Sequence, residues 1–383
     1  MEHGGKTATA VNAMQAGYLS GTADFFVGKR GTLTRYLICA QEGYFPVAIK
    51  TGPQSLAVIF RTGAPHIGIK GTLAVAFSDD GGKTWSDPRE IQPRWMDNRN
   101  PSLGVSAEGD LLAAFWRGGI HAYQQKSDGN YAFSGRQEGD PLYTIPDLLL
   151  TRSSDRGQTW SEPQPVACQH ICGTSPYGRM LHAPDGTLLL SVYGQLRESS
   201  PDHPIWGCVL LRSTDDGHSW GDETLVATGF NETTYAFLPN GRLLAAARSS
   251  GGEHVATLFS DDGGYTWSEP VQVTRDGEHP ADLTVLQSGR VLLSFGRRIR
   301  PMGAGALLSE DGGTTWLRDR EILLAGDGIE NGDLGYPSTN QLDDGTIVTV
   351  MYFASGSAMS GDSYTGWGRI SCQAIHYREE DLR

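Results

Sequence analysis

The chain has 383 residues, a formal net charge of −13, 50 glycines, 19 prolines and five cysteines. An acidic surface of this kind excludes a nucleic acid or an anionic membrane as the expected partner, since both select basic surfaces. No apolar run is long enough to span a membrane, and an odd cysteine count in a chain of this size argues against a disulfide framework.

In chain order, residues 1–31 read as an N-terminal segment. Its start, "MEHGGKTATAVNAMQAGYLSG", has no basic stretch followed by an apolar run and so is not a signal peptide. The expected location is cytoplasmic, or secreted or periplasmic if a signal has already been removed. Residues 32–383 read as one domain in which two patterns alternate. The first is a pair of apolar runs around a tight turn: "FPVAIKTGPQSLAVIFRTG" from Phe45, "NPSLGVSAEGDLLAAFW" from Asn100 and "SPYGRMLHAPDGTLLLSVYG" from Ser175. It returns as "ETTYAFLPNGRLLAAAR" from Glu232, "HPADLTVLQSGRVLLSFGRR" from His279 and "YPSTNQLDDGTIVTVMYF" from Tyr336. Most of these turns carry an acidic, Asn or Ser residue before Gly, a hairpin signal.

The second pattern is an acidic box: "SDDGGKTW" from Ser78, "SSDRGQTW" from Ser153, "STDDGHSW" from Ser213, "SDDGGYTW" from Ser260 and "SEDGGTTW" from Ser309. Six hairpins against five boxes fit a six-bladed, all-β propeller with antiparallel four-stranded blades. Each hairpin supplies two inner strands, and each box joins a third strand to a fourth. The last blade has a third strand, "GRISCQAIHY" (Gly368 to Tyr377), but nothing after it. Its fourth strand must be "TLTRYLICAQ" (Thr32 to Gln41), so an N-terminal strand closes the ring without a box. The boxes then lie on the face opposite to the one where inner strands begin. Their Asp and Ser are expected to bond turn N–H groups, and their Trp to pack between outer strands. A loop insertion near residues 117–146 leaves on the inner-strand face and is expected to shape access. Cys168, His170 and Cys172 do not have the spacing of a zinc site, so no metal and no cofactor is expected.

Chemistry is expected where inner strands begin and end. The beginnings supply Tyr44, Asp97 with Arg99, Tyr177, Glu232, His279 and Tyr336. The ends supply Arg61 and His66, Trp116 and Arg117, Tyr193 and Arg197, Arg248, Arg297 to Arg300, and Tyr352. Converging arginines suit a carboxylate, which a guanidinium binds through two parallel hydrogen bonds. A tyrosine beside a glutamate suits nucleophilic catalysis, because the carboxylate can take the phenol proton.

On these residues the chain resembles the sialidase (neuraminidase) superfamily, whose Asp-boxes and six-bladed fold match the boxes and the blade count. "GYPSTNQLDDGTIVTVMY" resembles the segment of the nucleophilic tyrosine and implicates Tyr336. "NETTYAFLPNGRLLAAAR" resembles the segment of the activating glutamate and one carboxylate-binding arginine, implicating Glu232 and Arg248. A further arginine of that set falls on Arg298 or, second, Arg300. Two departures stand out. Phe45 of "GYFPVAI" occupies the place of an arginine, and the loop before the first box holds His66 but no aspartate. His66 or Asp97 is then the candidate acid.

The resemblance implies a retaining exo-glycosidase that cleaves a terminal acidic sugar, sialic acid or a relative, from a glycan. Tyr336 would attack, Glu232 would act as its base, and Arg248 and Arg298, helped by Arg61 or Arg99, would hold the carboxylate. Tyr177 and His279 complete the binding list. Two alternatives remain: a hydrolase or lyase of uronic-acid or rhamnosyl-uronate polysaccharides, and a non-catalytic glycan-binding propeller.

Overall fold

A computed structural model of the chain describes residues 21–27, 29–40, 43–64, 66, 70–91, 97–118, 123–125, 131–133, 148–200, 202–326, 332–354 and 370–382. Six antiparallel sheets form the blades of a propeller. Their innermost strands are Tyr44–Lys50, Asp97–Val105, Ile171–Pro176, Phe230–Phe237, Glu278–Val285 and Gly335–Gln341. The second strand of each blade is sandwiched between neighbouring blades. Leu56–Thr62 and Val291–Arg297 are buried at every position. This double covering is why the sequence shows continuous apolar runs there rather than alternation.

The sixth blade closes as the repeat count requires. Its third strand, Ile370–Arg378, pairs with Thr346–Ala354 on one side and with the N-terminal strand Lys29–Ala40 on the other. The expected ends Gln41, Gly368 and Arg369 lie outside the described residues. Two additions were not expected: Gly21–Val27 pairs outside Lys29–Ala40 as a fifth strand, and Leu181–His182 adds a short pairing to the third blade. Within the insertion, Tyr123–Gln125 and Tyr131–Phe133 form a two-stranded hairpin, and the remainder of residues 119–147 lies outside the described residues.

All five boxes share a set of hydrogen bonds: the Ser hydroxyl to Asp Oδ1, a Gly N–H to Ser Oγ, and the N–H of the residue before Trp to Asp Oδ1. In the first, the Gly82 N–H donates to Ser78 Oγ (2.8 Å), and the Lys83 and Thr84 N–H groups donate to Asp80 Oδ1 (3.0 and 2.9 Å). The Thr84 hydroxyl donates to Asp80 Oδ2 (2.7 Å), and the Trp85 indole N–H closes the turn on the Gly82 carbonyl (2.9 Å). The Ser–Asp–Gly bonds recur at Ser153, Ser213, Ser260 and Ser309. These turns follow the third strand, which runs antiparallel to the second, so they lie on the face away from the innermost-strand starts.

The sequence placed the tryptophans between outer strands, and the structure specifies which neighbours they meet. Each is packed against the apolar seam shared with the preceding blade. Trp85 joins Leu56 and Phe60 of the first blade and Val348 and Cys372 of the sixth. Trp160, Trp220, Trp267 and Trp316 take the equivalent places at the next four seams. The seam between the fifth and sixth blades has Leu33, Leu317 and Leu382 instead. A box can sit this close only because it turns on glycine. A Cβ on Gly157 would lie 2.9 Å from Phe77, and one on Gly313 2.6 Å from Leu244, and both residues have positive φ (+75° and +87°).

Asp80→Ala should therefore lower stability by about 1–2 kcal/mol, the loss of a bonded turn, while leaving turnover of the folded protein unchanged. Burial works against the Asp80 charge, but the Thr84 and Ser78 bonds hold its pKa down to about 2 from the ordinary 3.8. A depressed carboxylate stabilises the fold above the unfolded value and loses that contribution as pH falls through the folded one. Urea unfolding should show the gap between wild type and variant narrowing from about pH 4 to about pH 2.

Candidate active site

Every innermost strand breaks its pairing at the same place, two residues being skipped near its start. The skipped residues are Phe45–Pro46, Asn100–Pro101, Gly173–Thr174, Asn231–Glu232, His279–Pro280 and Tyr336–Pro337. Proline has no N–H to give to a ladder, so four of these six bulges are set by sequence. A bulge re-aims side chains. Phe45, Asn100 and Tyr336 take left-handed φ values of 53°, 49° and 52° there. For bulky side chains this is a costly conformation, retained where surrounding structure enforces it.

Glu232 and Tyr336 meet across the ring. The Tyr336 hydroxyl donates to Glu232 Oε1, and the Tyr193 hydroxyl approaches the same oxygen at 3.4 Å. Arg248 Nη1 donates to Glu232 Oε2 at 2.7 Å. Asn100 Nδ2 donates to Tyr193 Oη (2.7 Å) and Ser175 Oγ (2.9 Å), which orients the Tyr193 ring. Burial, then the Glu232 carboxylate, pushes the Tyr336 phenol well above its ordinary range, with Arg248 opposing. Tyr336 is thus a neutral phenol already bonded to a base. Arg248 is held charged: burial works against it, and Glu232 more than compensates.

Three more groups lie beside this pair. Arg248 Nε, Arg298 Nε and both ring nitrogens of His279 are buried and have no hydrogen-bond partner. Arg298 acts electrostatically on Tyr336, Tyr352, Asp333 and His279, which places its guanidinium among them. Burial, then Arg248 and Arg298, lowers the His279 pKa to about 2, so this imidazole offers hydrogen bonds and no charge. Unpaired buried donors are costly unless a ligand meets them, and two guanidiniums with one imidazole suit an anion. Arg297, by contrast, bonds the Ile299 and Pro301 carbonyls (2.9 and 2.7 Å) and serves the backbone. Arg300 is exposed.

Aromatic rings make the floor. Phe45 stands edge-on to Tyr336 (4.9 Å between centroids) and to His66 (4.7 Å), and Tyr177 lies 6.0 Å from Tyr336. The Tyr177 hydroxyl donates to the Ala281 carbonyl at 2.9 Å, so Tyr177 contributes its ring face. His66 Nδ1 lies 2.9 Å from Asp333 Oδ1, to which the Tyr352 hydroxyl also donates at 2.7 Å.

The remaining sequence candidates pair with one another. Arg61 and Asp97 are ion-paired with no exposed side-chain surface, and Arg61 Nη1 also donates to the Asn98 carbonyl (2.6 Å). Arg99 Nε lies 3.0 Å from Asp97 Oδ2 and stacks over Trp116 at 4.3 Å. Asp97 is thereby enclosed by two guanidiniums. Cys168 donates to Glu223 Oε2 at 2.9 Å, and among the described residues no group of three or more His, Cys, Asp or Glu side chains is placed to hold a metal ion.

Two features escaped the sequence reading. Asp333 stands three residues before Tyr336, an acid just ahead of an innermost strand. Beneath the site, Arg179 Nη2 bonds both oxygens of Asp282 (3.0 and 2.9 Å) and the Leu283 carbonyl (2.8 Å). Arg179 Nη1 donates to the Thr339 carbonyl, so the guanidinium ties the third, fifth and sixth blades together. The clue was an aspartate within the apolar strand "HPADLTV". Removing one partner of a buried pair strands the other, so Arg179→Ala should cost about 3–5 kcal/mol in chemical unfolding.

The BNR repeat-like domain family matches residues 135–349, more than half of the chain, and the BNR/Asp-box repeat matches residues 76–87 at the first box. A sialidase of Bacteroides fragilis (strain YCH46) is 25% identical over 317 residues, covering 75% of this chain. The chain spans 55% of that relative's length. Among solved structures, a protein of unknown function from Dyadobacter fermentans superposes with a TM-score of 0.70 at 24% identity, over 90% of this chain and 98% of that one. A Hadza microbial sialidase superposes with a TM-score of 0.65 at 21% identity, over 89% and 66%. With its six blades, five boxes and these matches, the chain belongs to the BNR repeat-like domain family, within the sialidase superfamily of six-bladed propellers.

Proposed function

We propose that the chain is a sialidase-like, retaining exo-glycosidase that removes a terminal acidic sugar from a glycan. The observation that carries this reading is the hydrogen bond from the Tyr336 phenol to Glu232, beside Arg248. Tyr336 Oη attacks the anomeric carbon while its proton passes to Glu232. The glycosidic bond breaks, and the leaving oxygen takes a proton from an acid on the other side of the sugar. Water then attacks the glycosyl-tyrosine, and Glu232 returns the proton to Tyr336. A neutral phenol suits this task, because a carboxylate nucleophile would repel the substrate's own carboxylate. Arg248, Arg298 and the uncharged His279 receive that carboxylate. No step needs a metal or an organic cofactor.

Phe45 favours one variation. With an aromatic ring where sialidases usually place an arginine, the acid group has fewer charged anchors. A uronic-acid or rhamnosyl-uronate glycan is then a second candidate substrate, cleaved by hydrolysis or by elimination.

A fluorogenic sialoside, a fluorogenic uronide and an absorbance assay for unsaturated uronate separate these outcomes. Tyr336→Phe and Glu232→Gln should each lower kcat/KM on the active substrate by about a hundred- to ten-thousandfold, with folding intact. Silence of the wild type on all three, with glycan binding retained, would leave a glycan-binding propeller instead.

A further inference from the structure

We propose that His66 and Asp333 form the proton-donating dyad of this site, with His66 the catalytic acid and Asp333 the residue that positions it. The proposal rests on the glycosidase reading above and names the acid that reading leaves open. His66 follows the second strand of the first blade, and Asp333 precedes the innermost strand of the sixth. Ring closure brings them to 2.9 Å.

Three observations carry the assignment. First, a carboxylate only accepts, so Nδ1 must donate to Asp333, and proton exchange with substrate runs through Nε2. The Tyr352 hydroxyl holds the same Asp333 oxygen at 2.7 Å and fixes the carboxylate in turn. Second, the Asp333 side chain is 3% exposed and the His66 side chain 16%, so the imidazole keeps some open surface where the carboxylate has almost none. Third, His66 and Tyr336 both stand edge-on to Phe45, at 4.7 and 4.9 Å. Phe45, buried between them, holds the nucleophile and the imidazole in a fixed relation around the same site. Asp97, the other candidate, has no exposed side-chain surface and lies between Arg61 and Arg99.

The proton balance closes. As Tyr336 attacks, Glu232 takes the phenol proton and His66 Nε2–H protonates the departing oxygen, leaving neutral imidazole. That imidazole then removes a proton from the attacking water, which regenerates the acid.

The groups facing His66 give the dyad a pH signature. Burial lowers its pKa, Asp333 raises it, and Arg99 and Arg61 lower it, for a net value below the ordinary 6.5. Tyr44, whose phenol burial and Asp333 keep protonated, adds no charge. An acid works when protonated, so kcat/KM should fall as pH rises through that lowered value.

The test uses two glycosides of the same acidic sugar, one with a nitrophenyl leaving group and one with an alkyl leaving group. His66→Asn should lower kcat/KM on the alkyl glycoside by about a hundred- to ten-thousandfold and on the nitrophenyl glycoside far less, since a good leaving group needs no proton. His66→Gln serves as a second variant if the first is misfolded by its unfolding midpoint. Asp333→Asn removes the group that raises the His66 pKa, so its alkaline limb should move to lower pH. Equal losses on both glycosides, or a limb unmoved by Asp333→Asn, would overturn the dyad while leaving the Tyr336–Glu232 reading standing. A wild type that cleaves neither glycoside, nor any other acidic glycoside, would remove that reading and the dyad with it.

Discussion

Six innermost strands start around one axis, and their backbones cannot all keep regular pairing while turning side chains toward that axis. The two-residue bulge at each start resolves the conflict. It releases a residue from the ladder and, at Phe45, Asn100 and Tyr336, puts it in a left-handed conformation. Such a conformation persists because the strand beyond it is clamped on both faces. The seams between blades, each with its apolar cluster and five with a box tryptophan, hold that clamp. Box and site occupy opposite faces, yet Trp267 packs against the same apolar cluster as Phe45 and Tyr336, and the precision of the one depends on the rigidity of the other.

Charge is distributed in keeping with this division. The chain is acidic overall, but the acids near the axis each meet a base: Glu232 with Arg248, Asp97 with Arg61 and Arg99, Asp333 with His66, and Asp282 with Arg179. Burying a carboxylate without a partner is prohibitive. The ring therefore concentrates cations inside an anionic surface. Beside Glu232 and Tyr336, the Nε atoms of Arg248 and Arg298 and both ring nitrogens of His279 are left without a hydrogen-bond partner.

How much of this could be read in advance follows from how far apart the interacting residues lie. The boxes and hairpins were legible because their bonds are local: Asp80 binds Lys83 and Thr84, and the glycine is demanded by its own φ. Blade count and closure by the N-terminal strand followed from counting. Glu232, Tyr336 and Arg248 were found by their place in the repeat and by resemblance. Asp333 was not, because its partner His66 lies 267 residues away and nothing local to either marks the pair. The Arg179–Asp282 tie, 103 residues apart, was hidden for the same reason. Arg61 and Asp97 entered the candidate list by position, and the ion pair between them, which joins two blades, was not legible from either. Which seam each box tryptophan joins was hidden likewise, since a seam belongs to two blades and a repeat describes one.

Closure of the sixth blade has a consequence in time as well as in space. Lys29–Ala40 precedes the first five blades in the chain, and its partner Ile370–Arg378 follows them. For most of synthesis the blades form an open arc, with a pairing edge waiting at its start. The irregularity between Leu37 and Cys39 interrupts that edge, the kind of break that discourages pairing with another chain. Phe45 and His66 belong to the first blade, Tyr336, Tyr352 and Asp333 to the sixth and its approach. The pocket floor is therefore assembled by the same event that seals the ring.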